Sequence, residues 1–275
     1  MLGRILPSMS TLAQTPPQVT LGRQMLNKVP EVTLFFWVIK IMCTTVGETA
    51  ADYLNVNLGF GLTNTTYVTG ALLAVLLLAQ FRVRRYVPAL YWSVVVVISV
   101  FGTLITDNLT DRYGVPLTTS TAVFAVVLAA VFAIWFAVER TLSIHSIVTT
   151  RREGFYWLAI LFTFALGTAA GDLVGEKLGL GYGISAAIFG AIIAVITLAH
   201  FRLKLDAVLA FWLAYILTRP LGASIGDGLS QSRADGGLGL GTTATSVLFL
   251  ACILTLVGFL TVTRKDQTPP QPAPA

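Results

Sequence analysis

Charge is scarce in this chain of 275 residues: Asp, Glu, Lys and Arg together make up 11% of it, while 55% is hydrophobic. An ordinary soluble domain carries about a quarter charged residues, so a water-soluble globule is excluded. Cysteine and histidine are nearly missing. Cys43 and Cys252 both sit in apolar runs, and His145 and His200 are the only histidines. That excludes a disulfide scaffold, a cysteine cage for a metal and a histidine-based one. Enzyme signatures are lacking too. There is no G-x-S-x-G, no H-E-x-x-H and no P-loop, and no strand pattern precedes the glycine-rich run from Gly236 to Gly241. Neither enzyme activity nor a cofactor is expected.

What the chain does have is apolar length. A helix crosses the hydrocarbon layer in about 20 residues, and windows of that size place spans near 33–52, 65–81, 88–107, 118–138, 155–173, 183–201, 206–226 and 242–262. Eight spans use nearly all the apolar residues and leave little for a separate soluble domain. Most Lys and Arg, among them Arg82, Arg84, Arg85, Arg140, Arg151, Arg152, Arg202, Lys204, Arg264 and Lys265, fall after even-numbered spans or in the tail. Arg112, Lys177 and Arg233 fall on the other side. The excess of basic residues in short loops marks the cytoplasmic face, giving N-in and C-in. Residues 1–30 read as a cytoplasmic N-terminal segment without a cleavable signal, and the proline-rich 264–275 as a disordered cytoplasmic tail. The net charge of +5 belongs beside anionic lipid, so the expected partner is the bilayer and not nucleic acid.

A repeat sets the architecture. Trp37, Trp92, Trp157 and Trp212 are each followed ten residues later by Gly47, Gly102, Gly167 and Gly222, and fifteen later by Asp52, Asp107, Asp172 and Asp227. Each copy lies in an odd-numbered span and leads into a glycine loop, with five extra residues in the fourth. Gln80-Phe81-Arg82 recurs as His200-Phe201-Arg202. The expected fold is an all-α polytopic membrane protein. It has eight transmembrane helices, as four tandem two-helix units forming two parallel four-helix repeats, 31–150 and 151–263. The tryptophans are expected as interfacial anchors, and the glycines as places of close helix approach.

The acids are the candidate site. Trp and the Asp fifteen positions on lie about 60° apart on a helical wheel, sharing one broad face. Glu48 lies one turn below Asp52, Asp111 follows Asp107, Glu176 follows Asp172, and Gln231 follows Asp227. Glu48, Asp52, Asp107, Asp172 and Asp227 lie in or at the ends of spans, where the bases are only Lys40 and Arg219. Unpaired membrane carboxylates mark ion paths by default. Thr44, Thr45, Thr49, Thr103, Thr106, Asn108 and Thr168 add oxygen donors suited to a hard cation, with Glu48 and Asp52 the nearest thing to a metal site. Lys40 is expected to snorkel to the interface. Arg219, beside Pro220, is expected to be an internal counter-ion bonding Glu48, Asp107 or a freed carbonyl. The leading expectation is a transporter of a small cation, a divalent metal such as Mn2+ first. The rivals are a non-transporting scaffold or sensor, and a carrier of an organic cation using Tyr53, Tyr91 or Tyr215.

The run from Lys28 to Val32, Phe36-Trp37-Val38-Ile39-Lys40, and the run from Thr44 to Leu54 resemble the opening of a bacterial family of multi-span proteins catalogued as uncharacterised membrane-anchored proteins. Gly167 to Leu173 and Phe201-Arg202 are similar to that family's second half. The resemblance covers about residues 28–264 and implies a polytopic protein of the bacterial cytoplasmic membrane, with no activity attached. Gly47-Glu48 through Asp52 is also similar to the acidic E-x-G-D motif of a manganese and calcium exporter family, although Gly and Glu stand in the other order.

Overall fold

The computed structural model describes residues 27–267. Among them are eight helices long and apolar enough to cross a membrane, and no strand. They are α1 (Leu34–Asp52), α2 (Gly61–Arg82), α3 (Pro88–Asp107), α4 (Leu117–Glu139), α5 (Thr150–Asp172), α6 (Gly181–Leu203), α7 (Ala207–Ser230) and α8 (Thr242–Thr263). Local chemistry sets their ends. The Thr33 and Thr149 hydroxyls and the Asp206 carboxylate accept from the first-turn amides of α1, α5 and α7. Pro88 starts α3, where its missing N–H costs nothing. α4, α6 and α8 stop at Arg140, Lys204 and Arg264, each in the left-handed conformation.

The odd helices form the inside and the even helices the outside. Between 56% and 61% of each odd span is buried, against 11% to 28% of each even one. α1 packs on α3 and α7, and α5 packs on the same two, closing a four-helix ring. Around it α2 lies on α3, α4 on α5, α6 on α7 and α8 on α1. Each even helix thus packs chiefly on the odd helix after it, so the expected hairpins are continuous in the chain but splayed in space. π-helical turns at Tyr53–Asn57, Asn108–Arg112 and Leu173–Lys177 follow Asp52, Asp107 and Asp172, and with the glycine loops they lead the chain sideways. The fourth copy differs: α7 runs on to Ser230, and a 3-10 turn at Arg233–Asp235 occupies the longer loop.

The repeated glycines lock the ring. A Cβ on Gly47 would lie 2.7 Å from that of Ser99, on Gly102 2.6 Å from that of Phe164, on Gly167 2.5 Å from that of Arg219, and on Gly222 2.7 Å from that of Thr44. Ser99, Phe164, Arg219 and Thr44 all stand seven residues after their own Trp. One contact is therefore repeated four times in the same sense, and the fourth closes the circle.

The loops with most of the basic residues define one end of the ring, and the repeated Asp residues the other. At the basic end the expectation of interfacial tryptophans fails for three of four. Trp92, Trp157 and Trp212 are 2 to 4% exposed and join Phe36, Tyr91, Tyr156, Phe211 and Tyr215 in one aromatic core. Trp37 alone is half-buried. At this level aromatic side chains of α1, α3, α5 and α7 fill the space between the four helices. Both ends of the described segment tuck beneath this floor. Lys28 Nζ donates to Glu153 Oε2 at 2.6 Å, both side chains 1% exposed, and Gln80 Nε2 donates to Glu153 Oε1 at 3.1 Å. Gln80, which closes the second apolar span, is buried with it. Asp266, assigned to a disordered tail, is buried: it accepts from the Tyr86 hydroxyl at 2.6 Å and, through its carbonyl, from the Glu31 amide at 2.9 Å. The rest of that tail from residue 268, and the N-terminal segment before residue 27, lie outside the described residues.

Candidate ion path along the ring axis

Counting from each Trp gives the site its layers. Eleven residues on stand Glu48, Thr103, Thr168 and Ala223; seven on stand Thr44, Ser99, Phe164 and Arg219; three on stand Lys40, Val95, Ile160 and Tyr215. The fourfold pattern is thus broken by one acid, one guanidinium and one ammonium.

Arg219 is the hub. It is fully buried, and its Nη2 donates to Glu48 Oε2 at 2.6 Å, to Thr168 Oγ1 at 2.8 Å and to the Thr103 hydroxyl, while Nη1 donates to the Thr44 carbonyl at 3.3 Å. One side chain of α7 therefore bonds α1, α3 and α5. Pro220 follows it inside α7 and packs against Gly171. The expected pairing of Arg219 with Glu48 is present, and the carbonyl it takes belongs to Thr44 of α1. Its Nε has no hydrogen-bond partner among the described residues.

The hydroxyls beside Glu48 in sequence are used elsewhere. Thr44 Oγ1 donates to the Ile41 and Thr218 carbonyls, Thr45 Oγ1 to the Ile41 carbonyl, and Thr49 Oγ1 pairs with Ser246 Oγ of α8 at 2.7 Å. Thr106 Oγ1 bonds the Ala165 carbonyl of α5, and Asn108 Nδ2 bonds Thr66 Oγ1 of α2. Thr103 and Thr168, from neighbouring helices, are the ones that meet Glu48 through Arg219. Among the described residues no three His, Cys, Asp or Glu side chains converge to hold a metal ion, so Glu48 and Asp52 gain no third protein ligand of that kind.

Towards the acidic end, Asp52, Asp107 and Asp172 are half-buried and Asp227 is 8% exposed. Asp107 feels Glu48, Asp172, Asp111 and Asp52; Asp227 feels Glu48, Asp52, Asp172 and Arg219. The five acids named from the sequence therefore share one electrostatic region, with Glu48 deepest. Asp111 is exposed beside the loop.

Towards the basic end lies Lys40. It does not snorkel: it is 1% exposed, its Nζ donates to Thr218 Oγ1 at 3.4 Å, and it sits 4.2 Å from the centres of both the Phe164 and Tyr215 rings. A position three residues after Trp37 faces the ring axis and not the lipid, so two π faces replace the interface as its surroundings. Thr218 and Phe164 escaped the sequence reading, although Phe164 stands at the same seven-residue spacing as Arg219. A cavity of about 650 Å3 lies off the axis, between α1, α6 and α7 in the basic half, lined largely by apolar side chains such as Ile193, Ile196 and Phe211.

The four tandem units have a counterpart among known families. Residues 35–86, 90–141, 155–206 and 210–266 each match the model described as Repeat of Unknown Function (DUF347). The chain belongs to this family. Each matched repeat runs from the start of an odd helix through the following even one, the same unit that the Trp, Gly and Asp spacing marks. Comparison with curated proteins finds no match, and comparison with solved structures finds none either. The similarity to a manganese and calcium exporter family gains no support from the comparisons.

Proposed function

We propose that this protein carries a small cation across the bacterial cytoplasmic membrane, with the basic end in the cytoplasm. The observation that supports this best is one buried carboxylate, Glu48, held on the ring axis by Arg219 beneath four further acids. Carboxylates crowded in a low-dielectric mouth attract cations and disfavour each other's charge. Arg219 holds the place of the cation in the unloaded protein. An arriving cation takes Glu48, and Thr103 and Thr168, which now accept from Arg219, offer it oxygen. Oxygen donors without sulfur or imidazole favour a hard ion, so Mn2+, Mg2+ and Ca2+ are the first to test.

The test is flux into proteoliposomes holding the full chain. Uptake of one of these ions above that of empty vesicles, lost in Glu48→Gln, supports the reading. An inert wild-type protein under gradients of Mn2+, Mg2+, Ca2+, Na+ and K+ sinks it and favours a scaffold, a second reading that draws on the way Arg219 ties α7 to α1, α3 and α5.

A further inference from the structure

Of the four tryptophans that open the repeats, Trp37 alone is half-buried, and the even helices account for it. Thirty-six, forty and forty-three residues after each Trp, allowing for the five extra residues of the fourth copy, stand three side chains on one face of an even helix. On α2 they are Leu73, Leu77 and Gln80, on α4 Leu128, Phe132 and Trp135, and on α8 Ile253, Val257 and Leu260. The first and last of each trio are buried. On α4 the Phe132 and Trp135 rings lie 4.9 and 5.8 Å from the ring of Trp212, the tryptophan two copies on, and cover it. α6 carries Ile193, Thr197 and His200 in these places, and two copies on round the ring from it stands Trp37. Here all four residues line the off-axis cavity of about 650 Å3. The cavity is thus the joint that Phe132 and Trp135 close on α4, held open by two smaller polar residues. It is far larger than a packing void and lies in the range of ligand clefts.

We propose that this cavity holds an acyl chain of an anionic phospholipid from the leaflet at the basic end, with the phosphate at the basic rim. The deep walls are apolar, built from Ile41, Ile193, Ile196, Phe211 and Ala214. Along α7 they extend from Ala207 to Thr218, about 16 Å of helix, or roughly one leaflet of the hydrocarbon layer. Leu34 and Phe201, also in the wall, are 79% and 74% exposed, so the cavity opens outward between α1 and α6, where lipid lies. Polar groups gather at the basic end: Thr33, Ser143, His145 and His200. His200 Nδ1 pairs with the Leu205 carbonyl at 2.8 Å, which makes Nε2 the ring nitrogen available to a headgroup. Arg140, Arg202 and Lys204 on the adjoining loops are exposed. The acids of this rim are engaged: Glu139 with Arg151 and Arg152, Asp206 with the Leu209 amide, and Glu31 with His145 at 3.7 Å. Basic pockets between membrane helices favour anionic headgroups over zwitterionic ones. Glu48, Lys40 and Arg219 do not line the cavity, so this site is separate from the axis and independent of the cation reading. The acyl chain covers Trp37 as Phe132 and Trp135 cover Trp212.

Trp37 gives the readout, because bromine on an acyl chain quenches an indole that it touches. The full chain is placed in phosphatidylcholine nanodiscs carrying a small share of lipid brominated on its acyl chains, either phosphatidylglycerol or phosphatidylcholine. The emission followed is the part lost in Trp37→Phe. Brominated phosphatidylglycerol should quench it at about fivefold lower content than brominated phosphatidylcholine, since each basic residue near the surface contributes about 1 kcal/mol toward an anionic lipid. Thr197→Phe combined with His200→Phe, which returns the aromatic bulk that α4 carries, should protect Trp37 from both lipids. Arg202→Gln combined with Lys204→Gln should keep the quenching and lose the preference. Equal quenching of the wild-type chain by the two lipids, as ordinary surrounding bilayer would give, overturns the site, and so does quenching unaltered by the two phenylalanines. Should the filled variant fail to fold, the rim variant decides: a preference that survives the loss of Arg202 and Lys204 overturns the headgroup assignment.

Discussion

Replacing Arg219 with Gln removes the guanidinium but keeps the Cβ and Cγ atoms that Gly167 packs against, so the ring contact survives and the charge does not. The pair is close: Nη2 lies 2.6 Å from Glu48 Oε2, with the side chains 0% and 10% exposed. At an effective dielectric of 20, the attraction at that distance is about 6 kcal/mol before any desolvation is subtracted. Two hydroxyls and a carbonyl lose their donor as well. Breaking a buried pair by removing one partner costs about 3 to 5 kcal/mol, because the other charge is stranded, and that is the destabilisation expected for Arg219→Gln. Glu48→Gln should cost about as much, since it strands the cation. The double variant leaves neither charge, so it should recover at least about 2 kcal/mol of the summed losses, well above the few tenths seen for independent sites. The assay is unfolding of the detergent-solubilised protein by thermal or SDS titration, read by tryptophan emission. Trp92, Trp157 and Trp212 lie in the aromatic core just below the pair and report on it. Strict additivity, or a single variant as stable as wild type, would refute the reasoning.

Three further outcomes are expected by the same unfolding measurement. Gly102→Ala should destabilise by about 1 to 3 kcal/mol, because its Cβ meets the Phe164 Cβ at 2.6 Å; Gly154→Ala, with nothing within 4 Å of the new atom, should be neutral or slightly stabilising. Glu153→Gln should cost about 3 to 5 kcal/mol by stranding Lys28, and adding Lys28→Met should recover part of it. The Asp266 carboxyl is raised by burial, so the folded state favours its protonated form. That contribution is fully present below the unfolded value of 3.8 and is lost as pH rises through the higher folded value; Asp266→Asn should flatten this part of the pH profile, and an unchanged profile would show that Asp266 does not produce it.

The fourfold spacing of Trp, Gly and Asp made the spans, the inner position of the odd helices and the glycine contacts legible, because a tandem repeat prints its geometry in its period. Arg219 was legible for the same reason: seven residues from Trp212 is a whole number of turns within about 20°. Two things stayed hidden. Hydropathy measures what a side chain tolerates, not where the ring puts it, so Lys40, able to sit at an interface, gave no sign that it faces the axis, and the tryptophans none that they are buried in an aromatic core. Pairing across helices is non-local, so nothing in the sequence tied Lys28 to Glu153, Tyr86 to Asp266, or α2 to α3 in place of α1.

The way α8 lies on α1 has the same form as α2 on α3, α4 on α5 and α6 on α7, and the amide of Glu31 bonds the carbonyl of Asp266. The place where α8 meets α1 is therefore one of four equivalent joints at the basic end, the other three being spanned by short connections. A single two-span unit offers its even helix to the next unit and its odd helix to the one before, so alone it leaves both flanks uncovered. Four separate two-span subunits could assemble the same ring as a head-to-tail cyclic tetramer. A circular permutant that joins residue 267 to residue 27 and opens between α4 and α5 keeps every one of these joints.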